Sequence, residues 1–299
     1  MITQQSCHTV LVVAITPRKK DLRVDLEGIQ KNVRFLIQNG VDFIMPQCGT
    51  GLVYDSTLSE FESTVGAFID AADGKAHIVP GIGPGYGRSL EMGQIAKSLN
   101  ADGVMIMPIV GPASDHGTYK GLKHISESVD LPVVLYQRRL DIMPVGSVVK
   151  LCELDEVVGL KYAVDDLDAF DQIQDLANKH AAMTCGMAED PCIDYMNHGA
   201  VGFSSGMANF VPKVSLQIHQ KFFADNKKEA QRLRDLMVPF EDFRGEDSGR
   251  YSGSALHAAM DYANLAGGPV IPFVEDVAEE DLPRVHQMMD VLLEVEHQL

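Results

Sequence analysis

The feature that most constrains this chain is a repeated pair: a short apolar run rich in Val and Ile, then an amphipathic segment long enough for one helix. The runs lie at Val10–Ile15, Asp42–Pro46, His77–Pro80, Gly103–Met107, Val133–Tyr136, Val157–Lys161, Ala182–Cys185 and Ala200–Ser204. They are apolar without alternation, the pattern of parallel strands covered on both faces. Between the first two, Leu26, Ile29, Val33, Leu36 and Ile37 share one helical face and stop at Asn39-Gly40, a C-cap signal. Ser56-Thr57 offers an N-cap to a helix over Leu58–Ala71, and Ser89–Asn100 reads as another helix. Parallel strands require crossover helices, so eight such units predict an α/β fold, a (β/α)8 TIM barrel. An open doubly wound sheet would have fewer strands and a dinucleotide turn after the first. Gly81-Ile82-Gly83-Pro84-Gly85-Tyr86-Gly87 follows the third run, but Pro84 interrupts it and the dinucleotide spacing is not met. It reads as a structural loop.

After Ser204 no further strand follows. Asn226–Met237, Ser254–Ala266 and Glu279–His297 read as three helices, and the charged Phe240–Tyr251 segment reads as an exposed turn. Two units are therefore expected: a barrel over residues 1–224 and a C-terminal three-helix extension over residues 225–299.

Charge narrows the function. Asp and Glu number 42 against 25 Lys and Arg, a net charge of −17. A phosphate-backbone binder needs a basic face, and the only run of three basic residues is Arg18-Lys19-Lys20. Nucleic acid and anionic membrane are not expected partners. The five cysteines include no Cys-x-x-Cys pair, which favours a reducing compartment without a zinc ribbon. The first residues lack a basic and apolar leader pattern, and no stretch of 18 apolar residues occurs, so a cytoplasmic location is expected. No His-x-x-x-His or His-Glu-x-x-His spacing suggests a metal.

Barrel chemistry sits at the C-terminal ends of strands. The sharpest residue there is Lys161, which closes the apolar run Val157-Val158-Gly159-Leu160. Desolvation at a barrel rim disfavours an ammonium, and a neutral amine can attack a ketone to give a Schiff base. The plainer alternative is a lysine reaching solvent or pairing with Asp165 or Asp166. Gly159 is expected to leave space beside it for a substrate. Tyr136 closes another run and offers a phenol for proton transfer. Gly49-Thr50-Gly51 offers backbone N–H groups and a hydroxyl that can hold a carboxylate. Arg138-Arg139 follows Tyr136; alternation turns Arg138 inward, where a guanidinium suits a substrate carboxylate. Ser204 lies in Gly202-Phe203-Ser204-Ser205-Gly206. A hydrolase elbow would need an oxyanion loop that is absent, so Ser204 is expected to line a ligand pocket.

Gly49-Thr50-Gly51, Tyr136 and Lys161 resemble the dihydrodipicolinate synthase/N-acetylneuraminate lyase family of class I aldolases. The resemblance extends through Thr16-Pro17 and Asp25, Leu131-Pro132-Val133-Val134-Leu135-Tyr136, Gly159-Leu160-Lys161, Gly199–Ser204 with Asn209 and Pro212, and Gly268-Pro269-Val270 with Pro272. It implies that Lys161 forms an imine with C2 of a 2-oxo acid, commonly pyruvate, that Tyr136 shuttles the proton, and that Gly49, Thr50 and Gly51 hold the carboxylate. The expected activity is that of a Schiff-base-forming lyase, an aldolase or a dehydratase of deoxy-oxo sugar acids, with no metal or organic cofactor. A homo-oligomer, dimer or tetramer, is implied in the same way. A barrel that binds a 2-oxo acid without turnover is the alternative, because the chain departs from the family pattern. Leu52 stands where a Glu is usual, Cys48 replaces a glycine, and Gln137-Arg138-Arg139 follows the tyrosine. Pro108-Ile109-Val110 lacks the aromatic pair of the synthase branch, so efficient dihydrodipicolinate synthesis is not expected.

Overall fold

The computed structural model describes residues 1–299. Strands and helices alternate along the chain. The first half runs β1 (Val10–Val13), α1 (Leu26–Gln38), β2 (Phe43–Met45), α2 (Leu58–Ala72), β3 (His77–Ile78), β4 (Gly81–Ile82), α3 (Tyr86–Ser98), β5 (Val104–Ile106) and α4 (Asp115–Val129). Then follow β6 (Val133–Gln137), α5 (Val145–Cys152), β7 (Val157–Tyr162), α6 (Leu167–Ala177), β8 (Ala182–Cys185), α7 (Cys192–Asn197), β9 (Gly202–Ser205) and α8 (Pro212–Phe223). Three more helices end the chain: α9 (Lys227–Gly249), α10 (Ser254–Tyr262) and α11 (Leu282–Gln298). No helix is long and apolar enough to cross a membrane.

The strands form one curled parallel sheet of nine, in the order β3-β2-β1-β9-β8-β7-β6-β5-β4. Eight were expected; the third run yields only β3, and a ninth strand, β4, forms at Gly81–Ile82 in the segment read as a loop, with β3 and β4 at the two ends of the sheet. Pro80 between them has no N–H to donate to a ladder. Gly81 crosses so close to the chain that a Cβ there would meet the Gln47 carbonyl at 2.5 Å. The two-residue joint is hydrogen-bonded in both directions. Val79 and Gly81 donate to Ile44 and Pro46 at 2.9 and 3.0 Å, while Met105 and Met107 donate to Pro80 and Ile82 at 2.9 Å.

Thr57 caps α2 as expected. Its hydroxyl accepts from Glu60 N at 3.1 Å, and Glu60 reaches back to Thr57 N at 3.2 Å. Such a cap stabilises by about 1 kcal/mol. Beyond β1 the chain is clamped by Asn209, whose amide donates to Val13 O at 2.8 Å and accepts from Ile15 N at 3.2 Å. β1 therefore ends two residues earlier than its apolar run.

The Phe240–Tyr251 segment is not an exposed turn. Helix α9 continues past Met237, and its backbone leaves helical values only at Glu246–Ser248. Phe240, Phe243 and Tyr251 are buried, with the Phe240 ring 5.3 Å from that of Phe210. Pro239 lacks a helix donor and the neighbours are charged, which argues for a helix end. Leu233, Met237 and Phe240 nonetheless share one face and fix the helix on the core. Strand residues and apolar residues of α9, α10 and α11 form one continuous cluster. The C-terminal helices are thereby held against the sheet, and α9 overhangs the C-terminal ends of the strands.

Candidate active site

Lys161 and Tyr136 are register partners on adjacent strands β7 and β6. Equal register in parallel strands brings their side chains side by side. The Lys161 ammonium sits 3.8 Å from the centroid of the Tyr136 ring. Lys161 is only 5% exposed. It pairs with neither Asp165 nor Asp166: Asp166 instead caps α6 by accepting from Ala169 N at 2.9 Å. Arg138 Nη1 donates to the Tyr136 hydroxyl at 3.3 Å. Burial alone would push the Tyr136 phenol up, but the charges of Lys161 and Arg138 together outweigh it and hold the phenol below the ordinary tyrosine value.

These groups open onto a cavity of about 390 Å³ at the strand ends, lined also by Cys48, Gly49, Thr50, Leu52, Tyr54, Gly186 and Ser204. The turn after β2 leaves backbone donors free, an arrangement that can receive an anion. The N–H groups of Gly49, Thr50 and Gly51 have no hydrogen-bond partner within the chain. Gln47 and Leu52, which bracket the turn, both have left-handed backbones at φ 53° and 56°. Gln47 Nε2 donates to Thr16 Oγ1 at 3.0 Å, and Thr16 donates to Gly51 O at 2.9 Å, fixing the turn from below. Gly49 and Thr50 line the cavity. Gly51 packs behind them, where a Cβ would meet Gln47 N at 2.9 Å and Ala14 O at 3.1 Å.

The structure relocates one expectation. Gly159 does not make room beside Lys161; a Cβ there would meet Cys7 Sγ at 3.1 Å, below the cavity. Gly186, just after β8, takes that part, because a Cβ at this position would lie 2.9 Å from Lys161 Cγ. Arg139 turns away from the cavity and grips Asp141 through Nη2 at 2.6 Å. Cys48 is fully buried, and burial pushes its thiol up to about 12, so it stays protonated despite the nearby Lys161. Ser204 lines the cavity, but no hydrolytic triad surrounds it: Ser205 donates to Glu189, and His257 faces the carbonyls of Gly267 and Gly268. No group of three or more His, Cys, Asp or Glu residues is placed to hold a metal ion.

Several site residues were not visible in the sequence. Tyr54, at the cavity edge, is pushed up to about 12 by burial and then by the neighbouring Tyr136. The two phenols are thus driven apart, the arrangement by which one site separates a proton acceptor from a donor. Arg88 holds the segment that carries Tyr54, donating to Val53 O and Ser56 O at 2.7 Å each. Glu241 and Arg244 of α9 close the cavity from above. Their signal was the apolar spacing of α9, hidden by Pro239 and the surrounding charge.

A buried lysine beside a phenol, with free N–H donors across the cavity, is an arrangement that can carry imine chemistry on a carboxylate-bearing carbonyl compound. The sequence matches the dihydrodipicolinate synthetase family over residues 6–291. It is 28% identical to a protein of Bacillus subtilis (strain 168) named probable 5-dehydro-4-deoxyglucarate dehydratase, over 89% of each chain. A protein of the same name from Bacillus licheniformis is 26% identical over 88% of each chain. Among solved structures, dihydrodipicolinate synthase from Bacillus clausii superposes with a TM-score of 0.91 at 29% identity, covering 99% of each chain. A Ruminococcus gnavus sialic acid aldolase has the same fold, with a TM-score of 0.90 at 15% identity, covering 100% of this chain and 99% of that one. The chain belongs to the dihydrodipicolinate synthetase family. It is a Schiff-base-forming lyase that acts on a 2-oxo acid.

Proposed function

We propose that the chain dehydrates a six-carbon 2-oxo diacid of the 5-dehydro-4-deoxyglucarate kind, through an imine on Lys161. One observation carries the choice of a diacid. In a chain of net charge −17, the cavity wall presents three cations, Lys161, Arg138 and Arg244, against one carboxylate, Glu241. A site that concentrates positive charge in an acidic molecule suits a substrate with two negative ends.

In this reading the carboxylate next to the carbonyl lies on the N–H groups of Gly49, Thr50 and Gly51, with Ser204 also lining the cavity. The Lys161 amine attacks C2 and the carbonyl oxygen leaves as water. The protonated imine withdraws electrons, so a proton leaves C3 to a base, and the enamine expels the C4 hydroxyl with a proton as water. Tyr136 is the proton carrier: its lowered phenol gives up its proton more readily and the phenolate takes one back, and the ring already touches Lys161. Arg138 contacts the second carboxylate with the part of its guanidinium that does not serve Tyr136. No metal or organic cofactor is required, because the imine itself is the electron sink.

The architecture supports this division of labour. The hydrogen bonds on both sides of the β3–β4 joint support reading the two as one interrupted strand, and the sheet as a (β/α)8 barrel. Residues 1–224 would bring the chemistry, and residues 225–299 would close the cavity. A homo-oligomer is proposed, since Tyr86 and Val110 expose apolar surface beside a cleft lined by Pro84 and Ile109. A cytoplasmic location fits five cysteines that are all free thiols.

The test is a comparison of turnover. The enzyme should consume 5-dehydro-4-deoxyglucarate, and it should condense pyruvate with aspartate semialdehyde weakly or not at all, since Pro108-Ile109-Val110 carries no aromatic pair. The reverse preference would refute the proposal.

A further inference from the structure

We propose that Arg244 is a specificity-determining contact for the far carboxylate of the substrate, and that Glu241 positions it. The inference rests on the reading of Lys161 as the imine-forming residue. It concerns a different element, the overhanging helix α9.

Arg244 is largely buried, its side chain 14% exposed, and it lies over the cavity. Two of its three nitrogens are occupied. Nη1 donates to both oxygens of Glu241 at 2.7 and 2.9 Å, and Nε donates to Ser252 O at 2.8 Å. Nη2 has no partner within the chain. Nη2 is not sealed within the fold, so it remains available to a bound group. Here two anchors fix the plane and leave one donor for a ligand. The neighbouring sequence also makes room. A Cβ at Gly206 would lie 3.5 and 3.6 Å from the two Nη atoms, so the guanidinium rests against a backbone without a side chain, two residues past Ser204.

Its placement complements that of Arg138. Lys161 is on β7. Arg138 follows β6 on one side, and Gly206, beneath Arg244, follows β9 on the other. Arg138 Nη1 is engaged with the Tyr136 hydroxyl, close to the reacting carbons. Arg138 has donors left for only one side of the far carboxylate, and Arg244 is the remaining cation on the wall to meet the other. Glu241 keeps the pair neutral when the cavity is empty. A carboxylate on Nη2 then adds a charge-assisted contact without displacing the anchors.

The experiment traps imines with borohydride and follows the adduct at Lys161 by mass. The probes are 2-oxoadipate, a six-carbon diacid, and 2-oxohexanoate, its monoacid counterpart. The readout is the ratio of half-saturating concentrations, which a uniform loss of folded protein does not change. Arg244→Gln should lower the preference for the diacid by about 10- to 100-fold, the loss of one charge-assisted contact. Arg244→Lys should retain part of it. Glu241→Gln, which loosens the anchor but leaves the charge, should cost severalfold less than Arg244→Gln. An unchanged ratio in both Arg244 variants would overturn the inference. Failure of the wild-type protein to trap any 2-oxo acid at Lys161 would overturn the reading beneath it, and that result appears before any variant is made.

Discussion

The two walls of the cavity are built by different rules. One is made of strand ends, where Tyr136 and Lys161 are adjacent because β6 and β7 are parallel and in register. The other is made of helix α9, where Glu241 and Arg244 reach the cavity because Leu233, Met237 and Phe240 seat the helix on the core. The strand wall holds the lysine and the phenol to which the proposed reaction is assigned. The helix wall supplies charge at a distance from it. A site of this kind can change its substrate through the helix while its chemistry stays with the strands.

The comparison is sharpened most by Tyr136→Phe. The ring would still pack beneath Lys161, so the imine should form while turnover slows by roughly 10²–10⁴-fold, the range for lost general acid–base catalysis. Wild-type turnover would make Tyr136 a packing residue. On the other wall, Phe240→Ala should destabilise the fold by about 3–5 kcal/mol, as for a buried aromatic truncated to a cavity. An exposed turn would give a value near zero, so denaturant unfolding distinguishes the two directly.

Arg138→Ala comes next. It should lower kcat/KM for a diacid by about 10- to 100-fold, the loss of one charge-assisted contact. It should also raise the Tyr136 phenol, because Arg138 is one of the two charges holding it down. The alkaline side of the pH–rate profile should then move upward. Equal losses on mono- and diacids with an unmoved profile would confine Arg138 to the fold.

The smallest effect concerns Glu189, fully buried between the walls. Its carboxylate accepts from Ser205 and Ser215. Burial and then the charge of Glu241 push it up to about 7, against the opposing hydrogen bonds and Arg244. In the unfolded chain a glutamate titrates near 4.3. The folded state therefore holds the proton more tightly, and its advantage is complete below the unfolded value and lost as pH rises to about 7. Thermal stability should decline across that window by several degrees, and Glu189→Gln should flatten the decline. An identical pH dependence in the variant would contradict the assignment.

The sequence carried the strand wall because its rules are periodic. An apolar run ending in Lys161 and another ending in Tyr136 are readable, and parallel strands made their proximity a consequence. A turn at Gly49-Thr50-Gly51 was legible, although the bracketing left-handed Gln47 and Leu52 were not, since neither residue type favours that conformation. Gly159 was misplaced because alternation gives the face of a strand but not the distance from the cavity. Gly186 lies outside any strand and carried no pattern at all. The early end of β3 depended on Pro80, whose missing N–H was overlooked within an apolar run. The helix wall was missed because Pro239 and clustered charge outweighed the apolar spacing of α9. The reach of a helix over the strand ends is a tertiary fact without a local signature.

The central claim is that Lys161 is the nucleophile of this lyase, and borohydride reduction in the presence of pyruvate tests it most directly. The wild-type protein should gain the mass of one reduced pyruvyl group, located on the peptide that contains Lys161. Lys161→Arg should gain none, because a guanidinium stays protonated and cannot attack. A wild-type protein left unmodified, or one modified at a different lysine, would contradict the account.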